Sequence, residues 1–250
     1  MTPAMTTAPP PRRLAVRARL LPRVEGLRLA ACNQGLSPGL DLSGDWCLVQ
    51  PLEGGDVVLS VGDVVGHGLP ATAAMLALRH ALAGFAAAGH PPATVLRLLN
   101  DAVCARHPDV TATAVVARFR PSTGTVTWAR AGHPPILLTD ASGARPLPAP
   151  DGLLLGAFPD QRYDQRALRL PPGATLCLYT DGMVERPHGI EQGIAALRAR
   201  LAAAPRAPEA ALAALDFTDR RDDACVLLAQ RTSPARPLGR ALPFRSPFLS

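Results

Sequence analysis

Residues 57–71 read VVLSVGDVVGHGLPA, and this stretch predicts how the chain is organised around it. An almost continuous apolar run from Val57 to Val65 is typical of a strand that is covered on both faces. The glycines that follow allow a tight turn, and Pro70 stands where the start of a helix tolerates proline. We therefore predict a buried strand that carries Asp63 at its end and leads directly into a helix.

Outward from this segment, apolar runs bounded by turn residues predict further strands and helices. The predicted strands are Gly26–Asn33, Trp46–Pro51, Val57–Val65, Thr111–Phe119, Thr125–Ala131, Pro135–Thr139, Arg166–Leu170, Thr175–Tyr179 and Ala224–Gln230, and the predicted helices are Leu69–Ala88, Pro92–Arg106, Ile190–Ala204 and Pro208–Leu215.

The connections between these elements indicate the fold class. Gly54-Gly55-Asp56 predicts a hairpin turn, the three strands between 111 and 139 read as a meander, and Pro171-Pro172-Gly173 predicts a second hairpin. Because hairpins predominate and helices come in pairs, we predict an α+β fold with antiparallel sheets rather than a doubly wound parallel sheet.

Charge and composition limit the classes of function that this chain can have. The net charge is +6 with no lysine, and the excess of arginine lies in residues 1–30 and 231–250. We expect a disordered N-terminal tail over 1–20, one domain over 21–231, and a basic, proline-containing tail over 232–250. Aromatic residues make up 4% of the chain, and no basic stripe lies within the domain, so nucleic-acid binding is not favoured.

Neither a secretory leader nor a membrane anchor is expected. No continuous apolar run reaches the roughly 20 residues that span a bilayer. The cysteines at 32, 47, 104, 177 and 225 are odd in number and form no C-x-x-C pair, which favours reduced thiols over a disulfide framework or a zinc site. A cytoplasmic protein that does not bind membranes is the resulting expectation.

Four aspartates stand where a predicted strand meets a glycine or a second acid: Asp45, Asp63, Asp181 and Asp222. No arginine neighbours the first three, and buried carboxylates need a cationic partner. Mg²⁺ or Mn²⁺ suits an all-oxygen set, and a two-ion site is suited to phosphoryl hydrolysis. Each motif alone also fits an ordinary turn aspartate, or for Asp222-Asp223 a solvated loop pair.

Two histidines in glycine-rich segments leave their roles open. His67 follows Asp63 closely and is either a group that positions or protonates a leaving oxygen or a solvent-facing turn residue. His133, in Ala131-Gly-His-Pro-Pro135, is interpreted as a structural turn residue. The glycine spacing excludes a dinucleotide fingerprint, the absence of lysine excludes a Walker loop, and no serine or cysteine stands in a nucleophile elbow.

Taken in order, these motifs resemble the bacterial SpoIIE/RsbU-like serine phosphatases of the metal-dependent (PPM, protein phosphatase 2C-like) superfamily. The resemblance rests on Ser43–Trp46, Gly62–Ala71, Ala131–Pro135, Leu155-Gly156, Pro172-Gly173, Tyr179–Gly182 with Glu185, and Asp222-Asp223. It implies an αββα sandwich of two antiparallel sheets flanked by helix pairs. In this chain Ser43 replaces the first glycine of the usual Gly-Gly-Asp-Trp, and Cys47 and Leu48 replace the aromatic and acid that often follow.

The resemblance also implies a role for each acid. Asp63 would bridge two Mn²⁺ or Mg²⁺ ions, Asp45 with the Val64 carbonyl would complete one ion's protein ligands, and Asp181 with Asp222 would hold the other. Asp63 and Asp181 are the residues on which catalysis would depend most. His67 and Asp223 are further candidates next to the ligands.

By the same resemblance the substrate is a phosphoserine on a small anti-sigma-factor antagonist. An upstream sensor or regulator is an expected partner, with the helices around 190–215 as the elements that respond to it. Two alternatives stay open: a non-catalytic, pseudophosphatase-type binding module in the same signalling pathway, and a phosphatase acting on a small phosphoester.

Overall fold

The computed structural model describes residues 21–34, 42–187, 189–217 and 222–232. Ten strands, four α-helices and one 3-10 helix are found in these ranges. The strands are β1 Leu27–Gln34, β2 Asp45–Pro51, β3 Val57–Val64, β4 Ala112–Arg120, β5 Thr125–Ala131, β6 Leu137–Asp140, β7 Gly143–Pro146, β8 Gln165–Arg169, β9 Thr175–Tyr179 and β10 Ala224–Arg231. The helices are α1 Gly68–Ala87, α2 Pro92–Arg106, α3 Ile190–Ala203 and α4 Pro208–Ala214, and the 3-10 helix is Asp181–Met183.

Two five-stranded antiparallel sheets form the centre of the molecule. Sheet A has the order β1-β10-β9-β6-β7, and sheet B has the order β2-β3-β4-β5-β8. The predicted α+β class with antiparallel sheets is therefore confirmed. The prediction of one domain over 21–231 stays a prediction, and the tails predicted over 1–20 and 232–250 lie, apart from Thr232, outside the described residues.

Alternating side chains of the strands build three apolar layers. In β3, Val57, Leu59 and Val61 face the layer between the two sheets. Val58 and Val64 of the same strand face a second layer under α1 and α2, and a third layer lies between sheet A and the pair α3 and α4. Successive strand residues point to opposite faces, so a strand that reads apolar throughout is the one covered on both sides.

Helix α1 packs on sheet B through small residues. Its buried positions are Ala71, Ala74, Leu78, Leu82 and Ala86, which recur every three or four residues and so share one face. Among the described helices, α1 is the one long and apolar enough to cross a membrane by length and composition, a test that helices in protein cores also pass. Arg79 and His80 interrupt the apolar residues of this helix, so it is not the continuous apolar run to which the sequence expectation refers.

Two predicted connections are wrong. β8 pairs with β5 in sheet B, whereas β9 pairs with β10 and β6 in sheet A, so Pro171–Gly173 passes from one sheet to the other and closes no hairpin. Similarly, β6 leaves the predicted meander after β5 and joins sheet A. The short strand β7 and the 3-10 helix were not predicted.

An acid–arginine cluster fixes the β2–β3 turn at the end of sheet B away from Asp63. The side chain of Asp56 is 8% exposed and accepts hydrogen bonds from Arg118 at 2.7 Å and Arg120 at 3.2 Å. Burial alone would raise the pKa of Asp56, but the hydrogen bonds from Arg120 and Arg118 outweigh it and lower that pKa. The predicted hairpin at Gly54–Asp56 is confirmed by the β2–β3 register.

The five cysteines all lie within the described residues, and no disulfide joins them there. Four are buried and Cys104 is half-buried.

Candidate metal centre

Asp45 and Asp63 lie directly opposite each other at one end of sheet B. They are register partners in the antiparallel pair β2–β3, so both carboxylates emerge where these strands end. Asp45 is 2% exposed and Asp63 is half-buried. The prediction that the turn at 54–56 brings them to the same sheet end is confirmed.

Asp181 and Asp222 reach the same region from sheet A. Asp181 begins the 3-10 helix two residues after β9, and Asp222 stands two residues before β10. Because β9 and β10 are antiparallel neighbours, with Tyr179 opposite Val226, these two positions meet at one end of the sheet. The approach is close: a Cβ on Gly182 would lie 1.9 Å from the carbonyl oxygen of Asp223.

The electrostatics show that acids from both sheets act on one another. The pKa of Asp45 lies well above its usual value, first because of burial and next because of the charge of Asp63. Burial and the charge of Asp181 raise the pKa of Asp63 to about 7. Burial and the charge of Asp222 raise the pKa of Asp181. These aspartates are far apart in the sequence but form one cluster in the fold. The charge of Asp223 also raises the pKa of Asp45 and Asp63.

The donor set suits a hard divalent cation. Within the described residues no arginine forms a salt bridge with Asp45, Asp63 or Asp181. A Cβ on Gly44 would lie 2.6 Å from the Val64 carbonyl oxygen and 2.9 Å from Asp63 Oδ1, so two oxygens converge on a space that glycine keeps open. Carboxylate and carbonyl oxygens are the ligands that Mg²⁺ and Mn²⁺ prefer.

The cluster is not a closed cage of side chains. In the part of the chain that the structure describes, no three His, Cys, Asp or Glu side chains are gathered closely enough to hold an ion by themselves. A site that uses a backbone carbonyl and water in addition to carboxylates needs fewer side chains per ion. The residues present fit such a site.

Two hydroxyl groups that sequence reasoning missed orient Asp45. Thr180 is fully buried, and its Oγ1 donates to Asp45 Oδ2 at 2.9 Å. Ser43 Oγ accepts from the Asp45 backbone N–H at 3.0 Å. The available signal was a hydroxyl residue within two positions of Asp45 and of Asp181, namely Ser43 and Thr180.

His133 is buried between the sheets, and the structural role predicted for it agrees with its contacts. Its Nε2 lies 3.0 Å from the Tyr179 carbonyl oxygen and its Nδ1 lies 2.8 Å from Thr113 Oγ1. A carbonyl oxygen only accepts, so Nε2 carries the proton and Nδ1 accepts from the threonine hydroxyl. Burial lowers the pKa of His133 to about 3, so the ring is neutral near pH 7.

This buried ring predicts a loss of stability in mild acid. The pKa of His133 is about 3 in the folded protein and about 6.5 in the unfolded chain, so the unfolded chain takes up the extra proton between these values. The contribution of His133 to the free energy of unfolding is therefore constant above about pH 6.5. Below that pH the free energy of unfolding falls by about 1.4 kcal/mol per pH unit.

Urea unfolding in chelator at pH 7.5 and pH 5 measures the effect. We expect wild type to lose about 2 kcal/mol more than His133→Asn over this interval, because acids titrating in both proteins cancel. Equal losses in the two proteins would contradict the assignment.

The remaining candidates have different surroundings. His67 is exposed at the residue before α1, where its side chain makes no capping hydrogen bond, and its role stays a prediction. Asp223 is half-buried, and its backbone N–H donates to Asp222 Oδ1 at 2.7 Å. The loop that precedes Asp222 at 218–221 lies outside the described residues.

Comparison with known proteins identifies relatives over most of the chain. The family described as Stage II sporulation protein E (SpoIIE) matches residues 53–232. Phosphoserine phosphatase RsbU of Bacillus subtilis (strain 168) is 28% identical over 169 residues, which are 66% of this chain and 49% of RsbU.

Solved structures with a similar fold are found as well. The RsbU and RsbW domains of Rv1364c from Mycobacterium tuberculosis give a TM-score of 0.77 at 31% identity, covering 86% of this chain and 62% of that one. The catalytic domain of the serine threonine protein phosphatase PstP, in complex with two manganese ions, gives 0.61 at 16% identity, covering 83% and 99%. The latter likeness shows the fold alone. The chain spans less than two thirds of RsbU and of the Rv1364c structure.

Proposed function

Because this chain belongs to the SpoIIE family and has the fold of PP2C-type phosphatase domains, we propose that it is a metal-dependent protein serine/threonine phosphatase. The observation that carries the proposal is the cluster of Asp45, Asp63, Asp181 and Asp222. Burial and neighbouring charges raise the pKa of the first three, and Asp222 meets them at the same end of the two sheets. The similarity to phosphoserine phosphatase RsbU supports the same reaction class.

Each acid has a role in holding two Mn²⁺ or Mg²⁺ ions. Asp63 with Asp45 and the Val64 carbonyl would hold one ion, and Asp63 with Asp181 and Asp222 would hold the other. The PstP structure with two manganese ions supports this number and kind of ion. Such a pair supplies a nucleophilic water at neutral pH and neutralises the charge of the phosphoryl oxygens.

Residues of this chain orient the proposed metal ligands and bind the substrate. Thr180 donates to the Asp45 carboxylate and so orients it, and Ser43 accepts from the Asp45 backbone N–H. The half-buried position of Asp63 leaves one side of the cluster open to a phosphorylated side chain.

We propose a phosphoserine on a signalling protein, of the anti-sigma-factor-antagonist kind, as the substrate. The similarity to RsbU and to a chain that combines RsbU and RsbW domains supports this choice. An upstream sensor or regulator that acts on the helices α3 and α4 belongs to the same proposal. A cytoplasmic location is proposed as well, supported by the five unbridged cysteines.

The test compares two substrates and two metal conditions with the full chain. We expect Mn²⁺-dependent release of phosphate from a serine-phosphorylated antagonist protein, at a higher kcat/KM than from an aryl phosphate, and complete loss of activity in excess chelator. Calorimetry is expected to show uptake of two Mn²⁺ per chain. Faster turnover of small phosphoesters would indicate a metabolite phosphatase, and absence of both hydrolysis and ion uptake would indicate a binding module.

A further inference from the structure

The proposed ligands come from two separate sheets. Asp45 and Asp63 belong to sheet B, whereas Asp181 and Asp222 flank the strands β9 and β10 of sheet A. The layer between the sheets is apolar, and apolar contact is non-directional. Directional hydrogen bonds that cross this layer would therefore add a constraint on the offset between the two acid pairs that apolar burial does not itself supply.

One such contact runs through Thr180. Its Oγ1 donates to Asp45 Oδ2 in sheet B and accepts from the Cys225 backbone N–H of β10 at 2.8 Å. The Thr180 backbone N–H donates to the Cys225 carbonyl at 3.0 Å, so the threonine itself is anchored to β10. The hydroxyl hydrogen is its single donor, and it is directed at the carboxylate.

A second contact runs through His133, on the segment that passes from β5 in sheet B to β6 in sheet A. Its Nε2–H donates to the carbonyl of Tyr179, two residues before Asp181. Its Nδ1 accepts from the hydroxyl of Thr113, which is the register partner of Asp63 on β4. The ring therefore connects the strand beside one acid to the strand that delivers another.

We propose that Thr180 and the Thr113–His133 pair are positioning residues that set the distance between the two halves of the metal centre. The inference rests on the proposed function. It assigns these groups a task beyond stabilising the fold: without either link the sheets still pack, but the acids no longer stand at the spacing that two cations require. Hydrogen bonds from outside the ligand set commonly tune a metal site in this way.

Isosteric substitutions separate positioning from general stability. Thr180→Val and Thr113→Val each remove one hydroxyl and keep the shape, whereas Thr180→Ser and Thr113→Ser keep the hydroxyl. The matched control is Thr139→Val in β6 of sheet A, because Thr139 Oγ1 is buried and has no hydrogen-bond partner among the described residues. Mn²⁺ affinity of the full chain is measured by calorimetry, and urea unfolding of the metal-free protein is measured beside it.

We expect both valine variants to bind Mn²⁺ about 10- to 100-fold more weakly than wild type. The serine variants are expected to stay within about threefold of wild type, and Thr139→Val to bind normally. Wild-type affinity in both valine variants would overturn the proposal, as would an equal loss in Thr139→Val.

If Thr180→Val does not fold, Thr113→Val decides, because it leaves Asp45 and its hydrogen bonds intact. If wild type itself takes up no Mn²⁺, the proposed function fails as well, a result distinct from normal uptake in every variant.

Discussion

Replacing Asp63 by asparagine is expected to reduce Mn²⁺-dependent phosphate release at least about 1000-fold, which corresponds to about 4 kcal/mol of transition-state stabilisation. The substitution removes the negative charge that both proposed ion positions share while it keeps the size of the side chain. Steady-state hydrolysis of the phosphoserine protein at saturating Mn²⁺ measures the effect.

The same variant is expected to be as stable as wild type or more stable. In the metal-free protein, burial and the charge of Asp181 raise the pKa of Asp63 to about 7, so the ionised carboxylate opposes folding above that pH. Urea unfolding in chelator at pH 8 checks this. The control is Asp101→Asn on α2, whose exposed ion pair with Arg97 is worth little and lies outside the cluster. Retained activity in Asp63→Asn, or the same loss in Asp101→Asn, would contradict the assignment.

The second large effect is expected from Gly182→Ala, one residue after Asp181. A Cβ at this position would lie 1.9 Å from the carbonyl oxygen of Asp223, and that oxygen belongs to the backbone and has little room to move. We expect the Asp222–Asp223 segment to be displaced, with a loss of about 3 kcal/mol in the free energy of unfolding and a drop in the number of Mn²⁺ bound per chain.

Gly84→Ala in α1 is the matched control. A Cβ there meets no atom within 4 Å and the residue is helical, so the substitution is expected to stabilise the protein by about 0.5–1 kcal/mol. Thermal unfolding and calorimetry of both variants decide the question. Full ion uptake by Gly182→Ala would show that the contact with Asp223 does not position the acids.

The sequence predicted those parts of the fold that depend on local patterns. The segment 57–71 was predicted closely, because a doubly covered strand, a glycine turn and a helix each have a local signature. The connection at 171–173 was predicted wrongly, because proline and glycine indicate where the chain turns but not which sheet receives the next strand. The strand β7 is four residues long and has no buried residue, so no alternation revealed it.

The candidate site likewise has a part that the sequence predicted and a part that it did not. The aspartates stand in recognisable motifs, so their convergence was predictable. The roles of Thr180 and His133 depend on partners between 20 and 135 positions away in the sequence, and no local pattern specifies such a pairing. His133 was interpreted as a structural turn residue, whereas the burial that keeps it neutral follows from the packing of the sheets and has no local signature.

Strands β1 and β10 pair along their whole length, with Leu27 opposite Arg231 at one end and Gln34 opposite Ala224 at the other. Eight residues of strand extend roughly 25 Å, and the aspartates belong to the Gln34 end. Polypeptide joined before Leu27 and polypeptide joined after Arg231 would therefore start side by side, on the side of the molecule turned away from the acids. Residues inserted at either point would therefore begin roughly 25 Å from the proposed metal centre.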